Sequence, residues 1–242
     1  MNLVIDAGNT SIKIAVFLKK ELLLLTIADT EGFPKAVKEI FADFPDINHA
    51  LVASVGALTK KELDVLAIFC QVQLLTSVAK VPFKNLYTSP ETLGVDRIGL
   101  AAAAFYNFPH TNVLVIDAGT CITYDLITSS GEYLGGAISP GLYMRYKALH
   151  EQTASLPLLE PSPFVEFIGN STENSIHSGV VNGICKEIEG VISQYEARFE
   201  HLTVILTGGD GQFLSNRLKN TIFAHSNFLL EGLNYLLEYN KR

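Results

Sequence analysis

The chain has 242 residues, 48% of them hydrophobic and 18% charged, which is ample for one or two packed cores and excludes a disordered chain. A formal net charge of −7 without any cluster of Lys and Arg excludes a broad nucleic-acid footprint and leaves a small-molecule partner as the expectation. No apolar run is long enough to cross a bilayer, and no basic flank or cleavage site precedes the first strand-like run, so a cytoplasmic protein without a membrane anchor is expected.

Along the chain, the apolar run Leu3-Val4-Ile5 reaches Asp6-Ala7-Gly8, bends through Asn9-Thr10-Ser11 and continues as a second strand-like run from Ile12. This pattern predicts a β-hairpin with a tight polar bend. After Gly94-Val95-Asp96-Arg97, the run Ala101-Ala102-Ala103-Ala104 predicts a closely packed helix. Leu114-Val115-Ile116-Asp117-Ala118-Gly119 then repeats Leu3 through Gly8 letter for letter, followed by Thr120-Cys121-Ile122-Thr123, and predicts a second hairpin. Val180 through Phe199 reads as an amphipathic helix. Val204-Ile205-Leu206 reads as a strand running into Thr207-Gly208-Gly209-Asp210-Gly211, and Asn227 through Tyr239 as the closing helix. Cys70, Cys121 and Cys185 are far apart, odd in number and without CxxC spacing, which argues for reduced, mostly buried thiols. The six histidines have no ligand spacing and read as structural or surface residues.

The chemistry lies in the duplicated bend. Gly8 and Gly119 let backbone N–H groups approach an anion, and Thr10 and Thr120 add hydroxyl donors. Asp6 and Asp117, at the ends of buried strands, suit a hydrated Mg²⁺. An Asp-x-Gly bend is also an ordinary hairpin turn, and it is the second copy that weighs against that alternative. There is neither a GxxxxGK[ST] loop nor a GxGxxG fingerprint.

With its late Gly-Gly loop, this duplication resembles the acetate and sugar kinase, Hsp70 and actin superfamily. Within it the chain is similar to type III pantothenate kinases. The likeness rests on Asp6 through Thr10, Gly94-Val95-Asp96-Arg97, Asp117 through Thr120, Gly135 through Leu142, Gly169-Asn170-Ser171-Thr172 and Glu231-Gly232-Leu233, in that order. Departures are Ala7, where the family often has Val, and Cys121-Ile122-Thr123-Tyr124 in place of a more usual Ala-Thr-Thr-Phe.

The resemblance implies an α/β fold of two actin-like, ribonuclease H-like lobes with mixed sheets and an ATP cleft between them. Residues 1–111 would carry the first phosphate hairpin and the pantothenate segment. Residues 112–242 would carry the second hairpin and the adenosine-side glycine loop. It implies a homodimer that transfers the γ-phosphoryl group of ATP to pantothenate, the first step towards coenzyme A. Asp96 would be the general base and Arg97 the partner of the substrate carboxylate, with Tyr87, Gly94, Val95 and Thr172 completing the acceptor site. Asp6, Ala7, Gly8, Asn9, Thr10, Ser11, Ile12 and Lys13 would wrap the phosphates, aided by Thr120. Asp117 would hold a monovalent cation, K⁺ or NH₄⁺, beside the Mg²⁺ that accompanies ATP.

Read without the family, several of these residues keep a plainer alternative. Asp96-Arg97 is also a surface ion pair or helix start, Tyr87 also packs under a loop and Thr172 also caps a helix. Lys13 also points to solvent, and Asp117 suits Mg²⁺ equally. Two rival functions are a superfamily kinase for another small alcohol or sugar, and a nucleotide-binding regulator without catalysis.

Overall fold

The computed structural model describes residues 1–8, 11–54 and 58–241. From the N-terminus run β1 (Asn2–Ala7), β2 (Ile12–Leu18), β3 (Glu21–Ala28), α1 (Phe33–Asp43), β4 (His49–Ser54), α2 (Lys60–Ala67), β5 (Gln71–Leu74), β6 (Lys84–Asn85) and α3 (Val95–Asn107). There follow β7 (Val113–Ala118), β8 (Cys121–Ile127), β9 (Glu132–Pro140), α4 (Leu142–Glu151), α5 (Thr172–His177), α6 (Gly183–Glu196), β10 (Thr203–Thr207), α7 (Gly211–Ser215), β11 (Phe223–Ala224) and α8 (Phe228–Asn240).

These elements form two compact units, one of Met1–Pro109, Gly131–Tyr133 and Asn227–Arg242, the other of His110–Ser130 and Leu134–Ser226. The two-lobed α/β expectation assigns residues 112–242 to the second lobe. The last helix instead belongs to the first unit, because α8 packs on α3 and β1. A Cβ on Gly232 would stand 2.0 Å from the Gly99 carbonyl oxygen, so these two helices touch backbone to backbone.

In the first unit the sheet runs β3-β2-β1-β4-β5, with β1 antiparallel to β2 and parallel to β4. Alternation does what period-2 patterning demands. Leu3, Ile5 and Ala7 point to one face, where they pack with Val37 and Ile40 of α1.

The second unit's sheet runs β11-β10-β7-β8-β9. The first residues of β9, Glu132 and Tyr133, pair in parallel with β6 inside the first unit. Leu114 and Ile116 of β7 and Tyr124 of β8 turn inward and pack with Ile184 and Ile188 of α6.

Both predicted hairpins are present, but they are not identical. Ala7 pairs with Ile12 in the first and Ala118 with Ile122 in the second, so the second connection is one residue shorter. The helix expected from Val180 starts differently. Ser178–Asn182 forms a π-helical turn and the regular helix begins at Gly183. Of the three thiols only Cys185 is fully buried.

Candidate active site

In the first unit, Asp6 closes β1 directly opposite Lys13 of β2. Opposed residues of an antiparallel pair share a face, so Lys13 stands on the Asp6 side. Burial pushes the Asp6 carboxyl up to about 6, with Lys13 pulling it down and Asp96 pushing it further up. Asp6, Lys13 and Asp96 therefore form one electrostatic neighbourhood. Ala7 and Ile12 send their side chains into the core, leaving only main-chain groups for a ligand. The bend is closed by Gly8 N donating to Ser11 O at 3.2 Å. Asn9 and Thr10 lie outside the described residues.

Four of the residues expected at the acceptor site, Gly94, Val95, Asp96 and Arg97, sit at the start of α3. Gly94 is its N-cap position and Asp96 lies in its first turn, where a carboxylate complements the helix dipole. Asp96 Oδ1 accepts from the Arg97 amide at 2.9 Å and occupies the space that a Cβ on Gly94 would need, 2.4 Å away. Val95 opens the helix, which is the helix-start reading of this stretch. Arg97 is only 5% exposed, and its guanidinium carbon lies 5.5 Å from the centre of the Tyr87 ring. Tyr87 also meets Tyr133 at 6.2 Å, so it packs and contacts Arg97 at once. A buried arginine fork over an aromatic face is oriented before any ligand arrives.

In the second unit, Asp117 ends β7 between Thr123 of β8 and Thr207 of β10. Gly208 follows Thr207 at φ +92°, and a Cβ there would fall 2.4 Å from Asp117 Oδ1 and 2.3 Å from Ala118 O. Only glycine takes that backbone conformation at that distance. The glycine loop is thus stitched to the second hairpin, with Asp210 N donating to Ala118 O at 2.9 Å. Thr120, at the exposed tip, accepts through its carbonyl from Gly141 N at 3.2 Å. The helix-cap alternative for Thr172 falls to its neighbour: Ser171 Oγ accepts from Asn174 N at 3.2 Å, and Thr172 is the exposed first residue of α5.

Sequence reasoning missed two features here. Thr123 Oγ1 is buried without a hydrogen-bond partner among the described residues. It occupies the register position of Lys13 in the first hairpin, a correspondence visible once the repeats are aligned with a one-residue gap. The second feature is a brace. Glu187 accepts from Tyr124 Oη at 3.1 Å and pairs with Arg145 at 2.6 Å, while Arg145 also donates to Ser139 Oγ and Pro140 O. Burial acts to raise the Glu187 carboxyl, but its bonds from Arg145, Ser139 and Tyr124 outweigh that and hold it below the usual range.

Among the described residues, no three His, Cys, Asp or Glu side chains gather as a metal cage. Beside the Asp117 carboxylate stand its register partners Thr123 and Thr207, both hydroxyl residues, and the Ala118 carbonyl oxygen. That all-oxygen set fits a cation that keeps its waters or takes carbonyl ligands, and not a soft transition metal.

A profile of the family described as type III pantothenate kinase matches residues 2–194. The chain belongs to that family. It is 52% identical to the type III pantothenate kinase of Christiangramia forsetii, across 100% of this chain and 99% of that one. Identity to the Flavobacterium johnsoniae enzyme is 48%, across 99% and 98%. Among solved structures, this pantothenate kinase family member is similar to a Baf family protein from Campylobacter jejuni, at TM-score 0.66 and 23% identity over 99% and 98% of the two chains. It is also similar to a glucokinase from an Antarctic psychrotroph, at TM-score 0.53 and 13% identity over 99% of each. These likenesses establish the actin-like sugar-kinase fold.

Proposed function

We propose that this chain phosphorylates pantothenate with ATP, yielding 4'-phosphopantothenate for coenzyme A synthesis. The observation that carries the reading is the first turn of α3. There a carboxylate, Asp96, adjoins a buried arginine facing Tyr87 and acts electrostatically on the phosphate-hairpin carboxylate Asp6.

Phosphoryl transfer asks for positioning and charge neutralisation more than covalent chemistry. Asp96 accepts the proton of the attacking primary hydroxyl. Arg97 holds the pantothenate carboxylate with its planar fork, and Tyr87 keeps that fork in place. Gly94, Val95 and the Thr172 hydroxyl complete the acceptor site. Asp6, Lys13 and the main chain from Ala7 through Ile12 bind the nucleotide phosphates, with Thr120 contributing a donor. Mg²⁺, when bound with ATP, neutralises phosphoryl charge, and Asp6 is the residue suited to hold its waters. Asp117 is assigned to a monovalent cation, K⁺ or NH₄⁺, with the unpartnered Thr123 hydroxyl as a further oxygen donor.

The enzyme is further proposed to work in the cytoplasm as a homodimer. No helix among the described residues is long and apolar enough to cross a membrane. Phe164, Phe167 and Ile168 are 89%, 81% and 79% exposed along one stretch, an apolar surface that a second copy would cover.

The test is ADP release with Mg-ATP, with and without pantothenate, in K⁺ and in Na⁺ buffers. Pantothenate-dependent turnover is expected, with its loss in Na⁺. Asp96→Asn should keep ATP binding and lower turnover by roughly 10²–10⁴-fold. Near-normal rates in that variant would remove Asp96 from the mechanism, and ATP binding without turnover on pantothenate would overturn the function.

A further inference from the structure

The first unit holds a cavity about 570 Å³ in volume, lined by none of the residues assigned above and of a size that suits a small organic ligand. It lies where the end of α3, the outer side of α8 and the β2–β3 turn converge. Its apolar wall is tyrosine. Tyr106 and Tyr235 stack with centroids 4.0 Å apart, and Tyr239 tilts against Tyr235 at 6.4 Å.

The turn supplies Lys19 and Lys20 to the lining, and it is held in place. Lys19 adopts φ +57°, a left-handed conformation that residues with a Cβ avoid unless the surroundings hold it. Asn234 Nδ2 donates to the Lys19 carbonyl at 2.7 Å, and Asn2 Nδ2 donates to Asn234 Oδ1 at 2.6 Å. Asn2 and Asn234 are 2% and 5% exposed, so a buried amide chain fixes the turn from below. The Lys20 ammonium lies 4.5 Å from the centre of the Tyr106 ring.

The polar groups of the lining divide by sign. Both carboxylates are engaged: Glu238 accepts from Asn2 at 2.7 Å and pairs with Lys241 at 2.8 Å, and Glu231 accepts from Asn107 at 3.2 Å. Hydrogen bonding from Lys241, above all, holds the Glu238 carboxyl below its usual range. Among the described residues, neither Lys19 nor Lys20 has a carboxylate within 4.0 Å. The hydroxyls of Tyr106, Tyr235 and Tyr239 likewise have no hydrogen bond among those residues. What remains for a ligand is two ammoniums and three phenolic donors beside an aromatic wall.

We propose that this cavity binds a small ring-bearing anion, an aryl phosphate or aryl carboxylate, with its ring against the tyrosines and its acid group on Lys19 and Lys20. Such a ligand uses the cation and the aromatic wall together, and its affinity falls with added salt.

The experiment is isothermal titration of the full chain with phenyl phosphate and with benzoate, which separate the two acid groups. Inorganic phosphate, benzyl alcohol and benzylamine remove the ring, remove the charge and reverse it. Saturable binding of phenyl phosphate or benzoate is expected, with weaker binding of all three comparison compounds. Affinity should drop at least tenfold in Lys19→Glu/Lys20→Glu, whose exposed positions leave folding intact. It should be unchanged when pantothenate is present at saturation, which separates this cavity from the acceptor site. Equal affinity in wild type and the charge-reversed variant, preference for benzylamine, or no binding of either aryl anion would each overturn the proposal.

Discussion

Replacing Asp6 by Asn should make the protein more stable at neutral pH while abolishing its phosphate chemistry. The Asp6 carboxyl moves from an ordinary value of 3.8 to about 6 on folding, mainly through burial. At about 1.4 kcal/mol per pKa unit, keeping it ionised in the folded state costs roughly 3 kcal/mol. Because the folded value lies above the unfolded one, this penalty is absent below about pH 4, grows through the window and is complete above about pH 6. Stability of the wild type, relative to Asp6→Asn, should therefore fall by about 2 kcal/mol between roughly pH 4.5 and 7. Urea denaturation of both proteins across that range measures it, provided the slopes with denaturant stay equal so that midpoints report stability. Parallel pH profiles for the two proteins would show that Asp6 is not held ionised at a cost. A site that sacrifices stability for a poised charge is what a stability–activity trade-off looks like at one residue.

Other perturbations test the supports of the site. Gly232→Ala forces a Cβ to 2.0 Å from Gly99 O, and should lower the melting temperature by roughly 4–10 °C through overpacking of α3 against α8; an unchanged melt would show that the crossing can relax. Glu187→Leu strips the partner from Arg145 and the Tyr124 hydroxyl and should cost about 1–3 kcal/mol in denaturation. Glu187→Gln, which can still accept from both, should cost less, and equal losses would count against the brace. Arg97→Lys keeps the charge but loses the fork, so KM for pantothenate should rise at least about tenfold with a smaller change in kcat, and steady-state kinetics with varied pantothenate reads that split directly.

Local features of the fold were legible where one short stretch decides them. The two hairpins follow from apolar alternation ending in Asp-Ala-Gly, and the closing helix expected from Asn227 to Tyr239 is found from Phe228 to Asn240. What could not be read depends on partners distant in sequence. Lys13 is at an ambiguous position until the pairing register sets it opposite Asp6. Ser171 and Thr172 are adjacent hydroxyl residues, and only the backbone angles, extended at Ser171, decide which one caps the helix. The π-turn at Ser178–Asn182 has no periodicity of its own; it carries Ser178 Oγ to Phe167 O and Asn182 Nδ2 to Ser178 Oγ, bonds that no helical pattern announces. Electrostatic coupling of Asp6 to Asp96 joins residues ninety positions apart, which spacing alone cannot convey.

The return of α8 to the first unit bears on how the polypeptide matures during translation. The sheet and α3 of that unit are synthesised early, yet the helix that covers them is synthesised only after the whole of His110–Ser130 and Leu134–Ser226. On the ribosome the second unit can complete its core first, while the α3 face carrying Gly99 stays open until α8 clears the exit tunnel. Premature termination before or within α8 (Phe228–Asn240) would therefore expose the apolar face of the first unit and send the product to quality control, even though every residue proposed for phosphoryl transfer had already been made.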